Sequence, residues 1–152
     1  RLDLTINILT MAALTKGKIT VFGGDQKRPN INIEDMAYLY ARLVDEDGEK
    51  IVGQTFNAGY NNFSVMELAI MVKKIVEETR KTSVEIEVKS TNDPRSYRVS
   101  SEKIDHEIGW CARYTIGHAI LSLIDAFDGG KIPNPDDPKY YNIKTMQKLN
   151  LS

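Results

Sequence analysis

The chain has 152 residues, 41% of them apolar and 27% charged, and a net charge of −1. That is one ordinary domain with a core of useful size, and it excludes wholesale disorder and a disulfide framework. There is no large basic field to attract nucleic acid and no apolar run long enough for a membrane, and the lone Cys111 has no internal partner, so a reducing, cytoplasmic setting is expected. The two histidines, His106 and His118, form no cluster at metal spacing, and no metal is indicated. The chain opens at Arg1 directly in a helix-like pattern, which reads as a fragment whose beginning lies elsewhere.

The first pattern is helical over 3–16, with Asp3 as a cap, Leu4, Ile8, Met11 and Ala12 on one face, and Gly17 as the stop. Residues 18–22, "KITVF", read as a strand, and 30–33, "NINI", as a second. A helix follows from Met36 to Val44, with Asp35 in position to cap it. "EDGEK" is a polar turn, and "QTFNAG", 54–59, reads as a buried strand closed by Gly59. Ser64-Val65-Met66-Glu67 has the form of a capping box, and the apolar stripe Val65, Leu68, Ala69, Val72, Ile75, Val76 continues it into a helix. "VEIEV", 84–88, alternates as a half-exposed strand. Short helices follow over 101–108, stopped by Gly109, and 115–127, stopped by Gly129-Gly130. The proline-broken "KIPNPDDPKYY" then wraps the surface. Strands alternating with helices predict an α/β architecture, with few and short strands for a complete doubly wound sheet.

Four pieces, taken in order, carry a resemblance. "KITVFGGDQKRPNINIEDMA", "QTFNAGYNNFSVMELA", "NDPRSYRVSSEKI" and "HEIGWCARYTIGHAI" resemble segments of the NAD-dependent sugar-nucleotide epimerases and dehydratases, the extended short-chain dehydrogenase/reductase family. The likeness covers residues 1–128, which it identifies as a C-terminal substrate-binding portion, with 129–152 as a tail. It implies a Rossmann-like α/β fold lacking its N-terminal dinucleotide-binding half. That half would hold NAD or NADP on a glycine-rich turn and supply the catalytic Tyr-x-x-x-Lys. Gly23-Gly24 and Gly129-Gly130 lack the spacing of that turn. The resemblance therefore implies no catalytic or cofactor-binding residue within this chain, and an isolated piece without activity. Tyr140 and Lys144 spell the catalytic pattern in the proline-rich tail, at the wrong end of the chain, and read as a chance match.

The resemblance implies a nucleotide-diphosphate sugar as ligand, the N-terminal Rossmann half of the same enzyme as partner, and a homodimer as the common assembly. A diphosphate leaving water needs donors of matching geometry, and guanidinium offers a planar, permanently charged fork. On the family's pattern Arg28, braced by Pro29, is one phosphate ligand, Arg95 the second and Arg98 a weaker candidate. For Arg95 an ion pair with Asp93 competes. Asn7 on the first helix is placed to face the nucleotide, and Val21 lies on the strand that runs along the base. Two other readings stay open: a stand-alone ligand-binding module of this ancestry, and a structural subunit that completes another chain's fold.

Overall fold

The computed structural model describes residues 1–93 and 95–151. Helix α1 (Thr5–Lys16) leads through a left-handed Gly17 into β1 (Lys18–Phe22). Then come β2 (Lys27–Asn30), α2 (Ile33–Val44), a one-turn α3 (Gly48–Ile51), β3 (Asn61–Ser64), α4 (Val65–Arg80) and β4 (Glu85–Lys89). Helices α5 (Glu102–Ile108) and α6 (Ile116–Asp128), a 3-10 turn at Pro138–Tyr140 and α7 (Asn142–Lys148) complete the described elements.

The strands form two separate pairs. β1 and β4 run parallel, with Ile19 opposite Ile86 and Val21 opposite Val88; β2 and β3 run antiparallel, with Arg28 opposite Phe63. One face of the parallel pair is apolar. Ile19, Val21 and Val84 are fully buried there against Leu68, Val72 and Val76 of α4 and Leu9 and Ala13 of α1, and Ile120 and Ile124 of α6, which packs on those two helices, complete the cluster. The opposite face suits water, because Lys18 pairs with Glu85 and Glu87 at 3.4 Å and Lys89 with Glu87 at 3.2 Å. A second cluster gathers Leu39 of α2, Ile104 and Ile108 of α5, and Trp110. A third joins Leu2 and Met11 to Ile132, with Tyr140 and Tyr141 packed on it.

The capping signals translate directly. Ser64 Oγ accepts from the Glu67 amide and the Glu67 carboxylate accepts from the Ser64 amide, so two amides left over at the start of α4 are satisfied reciprocally. Thr115 and His118 do the same for α6. Four local expectations are corrected. Asp3 does not cap α1: the flanking residue is Leu4, and the Asp3 carboxylate instead accepts from Arg1 and from the Asn142 amide. Asp35 does not cap α2; Asn32 does, and the helix starts at Ile33. "EDGEK" holds the single turn of α3, begun by the Asp47 side chain. The second and third strands fall at 27–30 and 61–64 rather than 30–33 and 54–59, because the two stretches that find each other across the fold are those flanking Asn30 and Asn61. Proline tolerates β2 because a two-stranded ladder is all edge.

Candidate functional site

Between α1, β2, α2 and α6 lies a cleft of about 600 Å³. Leu4 and Asn7 come from the start of α1, Arg28 and Pro29 from β2, Ile33, Glu34 and Met36 from the first turn of α2, and Ser122 and Leu123 from α6, with Tyr97 contributed by the segment after β4. Arg28 is the one cation among the described residues lining it. The wall is mostly aliphatic, with hydroxyl and amide groups of Thr5, Asn7, Asn32 and Ser122 interspersed.

Gly23 and Gly24 make the presence of Arg28 at this rim possible. Both have positive φ, 77° and 124°, and a side chain on Gly23 would run into Gln26 and Thr91. Their amides are occupied: Gly23 N–H donates to the Lys89 carbonyl and Gly24 N–H to Gln26 Oε1. The chain thus turns sharply out of β1 into β2. Glu67 secures the other flank, since Lys27 Nζ lies 2.8 Å from its carboxylate. The Lys27 ammonium, followed by the Ser64 amide and hydroxyl, lowers the Glu67 carboxyl to about 2.

The Arg28 guanidinium is held from several sides. Its Nη1 donates to the Lys27 carbonyl at 3.0 Å and to the Arg95 carbonyl, its Nη2 lies 3.6 Å from Asp93 Oδ2, and its face covers the Tyr97 ring at 5.5 Å. Arg95 is placed differently. Its Nε and Nη2 take both oxygens of Asp93 at 2.7 and 2.8 Å, and its side chain stays 80% exposed outside the cleft. That fork, with Arg28 adding its charge, pushes the Asp93 carboxyl far below the usual carboxylate range.

Of the four residues expected to meet substrate, the structure brings Arg28 and Asn7 to one cleft. It leaves Arg95 on Asp93, and it buries Val21 completely in the core, outside the cleft lining. Arg98 is exposed and likewise not part of the lining. Tyr97 and Glu34 line the cleft without having been singled out beforehand. Tyr97 could have been found from its place two residues after Arg95 in a family-like segment, whereas Glu34 carried no signal. The Glu34 carboxylate, the main neighbour of the Tyr114 phenol, pushes that phenol up. Asp35 sits behind this wall, 2% exposed, accepting the Arg113 and Tyr114 amides at 2.9 Å each.

Other chemistry-bearing residues lie outside the cleft lining. Lys144 rests on the ring of Tyr141 at 4.0 Å while Tyr140 packs in the third cluster, so Tyr140 and Lys144 make no catalytic couple. His118 Nδ1 lies 2.9 Å from Thr115 Oγ1 in its capping box, His106 Nδ1 is 3.3 Å from Glu107, and Cys111 is exposed and free. Among the described residues no group of three His, Cys, Asp or Glu side chains could hold a metal, and no helix is long and apolar enough to cross a membrane.

No protein-family profile and no curated protein sequence matches the chain. Solved structures do. UDP-glucuronic acid 4-epimerase from Bacillus cereus, in complex with UDP-glucuronic acid and NAD, matches with a TM-score of 0.70 at 16% identity, over 85% of this chain and 41% of its own. dTDP-glucose 4,6-dehydratase from Bacillus anthracis, in complex with NAD, gives 0.66 at 22% identity, over 84% and 40%. L-threonine dehydrogenase from Phytophthora infestans gives 0.67 at 14%, over 82% and 41%. The chain spans about two fifths of the length of these proteins. Likeness at such identities shows the fold alone, a mixed α/β arrangement that this chain shares with part of each of these proteins.

Proposed function

We propose that this chain is the nucleotide-sugar-binding portion of an NAD(P)-dependent epimerase or dehydratase, and that its cleft receives the substrate with the diphosphate at Arg28. The observation that carries this reading is a fixed guanidinium opening onto an otherwise mostly apolar cleft. Two carbonyls and the Tyr97 ring orient it, so its remaining N–H donors need little reordering to meet an anion. The first turn of α2 also lines the cleft, and a helix N-terminus carries partial positive charge. The aliphatic walls suit a nucleoside, and Asn7 offers an amide for its polar edge.

Arg95 joins this site as a second phosphate ligand by exchanging Asp93 for substrate, a rotation of its own exposed side chain. Val21 acts by packing, holding β1 in the core from which the glycine turn departs. The cofactor falls to the remainder of the fold. Neither glycine pair fits a dinucleotide pyrophosphate: the amides of Gly23 and Gly24 are taken, and Gly129 and Gly130 lie at the C-terminal, electronegative end of α6, donating to Asp125 and Phe127 carbonyls. By itself the chain then binds and orients, and the redox chemistry awaits its counterpart.

Calorimetric titration of the chain with UDP, dTDP, CDP and GDP tests this. Charge-assisted hydrogen bonds contribute about 1.5–3 kcal/mol each, so Arg28→Ala should weaken the preferred nucleotide at least about tenfold, with Arg28→Lys in between because it loses the planar fork. Equal affinity in wild type and Arg28→Ala overturns the assignment.

A further inference from the structure

One carboxylate stands where two guanidinium groups converge. Asp93 holds Arg95 Nε and Nη2 on its two oxygens at 2.7 and 2.8 Å, and its Oδ2 lies 3.6 Å from Arg28 Nη2. Two guanidinium groups around a single anion is the donor set that suits a phosphate. The Arg95 side chain, ahead of all other neighbours, holds the Asp93 carboxyl far below the usual range, so it is charged at neutral pH.

The carboxylate is fixed, and its main partner is movable. The backbone around Asp93 is fastened to β2 and to the glycine turn. The Lys27 amide donates to Ser96 Oγ, the Tyr97 amide to the Lys27 carbonyl, Arg28 Nη1 to the Arg95 carbonyl, and Gln26 Nε2 to the Asp93 carbonyl. The Asp93 amide donates to Thr91 Oγ1, and its Oδ1 accepts the Arg95 amide, both at 3.1 Å. Arg95 is the exposed member of the pair, and among the described residues Asp93 is the one side chain that its guanidinium bonds. Arg28, by contrast, keeps two carbonyls and the Tyr97 ring whether or not Asp93 is charged. An anion that reaches Arg28 can recruit Arg95 only by taking it from Asp93.

We propose that Asp93 is an autoinhibitory contact of the cleft: a built-in anion that occupies both guanidinium groups, lowers the affinity for the ligand's diphosphate, and takes Arg95 back as the ligand leaves. This rests on the reading of the cleft as a nucleotide-sugar site, and adds to it the group that limits its affinity. The competition is intramolecular, so the carboxylate acts at an effective concentration on the order of millimolar or above. The ligand gains from Arg95 only the surplus of a phosphate over a carboxylate. An exposed ion pair is weak, which keeps this restraint to about three- to tenfold in affinity. A purely structural Asp93 predicts the opposite sign, because loosening the segment beside Arg28 would weaken binding.

Asp93→Asn tests this, since the amide keeps the oxygen that accepts the Arg95 backbone and loses the charge. The chain and the variant are titrated calorimetrically with UDP, dTDP, CDP and GDP at low and at high salt. The preferred nucleotide should bind Asp93→Asn about three- to tenfold more tightly. Its affinity should also fall more steeply with salt than that of the wild type, because one more uncompensated positive charge meets the diphosphate. In an Arg95→Ala background the same substitution should gain less, the fork it would release being gone. Unchanged affinity, an unaltered salt dependence or weakened binding in Asp93→Asn each overturns the proposal, the last by assigning Asp93 to positioning. An equal gain with and without Arg95 overturns it too, because the carboxylate then acts by its charge alone. Arg28→Ala separates this from the reading beneath it. Binding that is lost in Arg28→Ala yet indifferent to Asp93→Asn overturns only the autoinhibitory contact, whereas binding indifferent to Arg28→Ala overturns the site itself.

Discussion

Replacing Asp35 by Ala removes one side chain and unfastens two elements. The carboxylate is 2% exposed and accepts the amides of Arg113 and Tyr114 at 2.9 Å each, tying α2 to the strap that leads into α6. Two hydrogen bonds to a charged acceptor, at about 1.5–3 kcal/mol each, set a ceiling near 6 kcal/mol. Arg113 and Tyr114 are themselves exposed, so water can replace part of what is lost. The expected cost is therefore about 2–4 kcal/mol, or roughly 5–15 °C in melting temperature for a domain of this size. Asp35→Asn keeps one acceptor oxygen and should lose about half as much. Urea unfolding of the three proteins, with the slope unchanged, gives the free energies, and hydrogen exchange at the 113 and 114 amides locates them. A loss below about 1 kcal/mol for Asp35→Ala, or unaltered exchange at both amides, refutes the fastening role. Because α6 forms one wall of the cleft, Asp35→Ala should also weaken nucleotide binding without touching the ligand.

Glu67 has a folded-state carboxyl lowered to about 2, so its stabilising contribution is full above its ordinary value near 4.5 and is lost as pH falls toward 2. The difference in melting temperature between wild type and Glu67→Gln should therefore shrink steadily from pH 5 to pH 2, and a constant difference contradicts the assignment. Ile120 is fully buried where α6 packs on α1 and α4, so Ile120→Ala should cost about 2–5 kcal/mol in denaturant titration.

Elements with local chemistry were legible from residues alone. The Ser64–Glu67 box and the stops at Gly17 and Gly109 each depend on neighbours within a few positions. Strand positions were less legible. β2 and β3 are defined by each other across more than thirty residues, and Lys27-Arg28-Pro29 has a loop's composition until it pairs. The segment 54–59 read as a strand but forms none, because propensity is local while a ladder needs a second edge. At the site, the family-like segment singled out Arg28, and the structure places it on the wall of the cleft. The direction of Arg95 was not, because a fork onto Asp93 and a fork onto a phosphate look alike in sequence.

The chain ends are stitched together: the Leu2 amide donates to the Tyr140 carbonyl, and the Asn142 amide to Asp3. The final stretch is thereby a buttress for the start of α1, whose Leu4 and Asn7 form part of the candidate cleft. Trimming the protein at residue 128 to obtain a neater piece would strip cover from Leu2 and Met11 and slacken one wall of the candidate cleft, although no residue after 128 lines it.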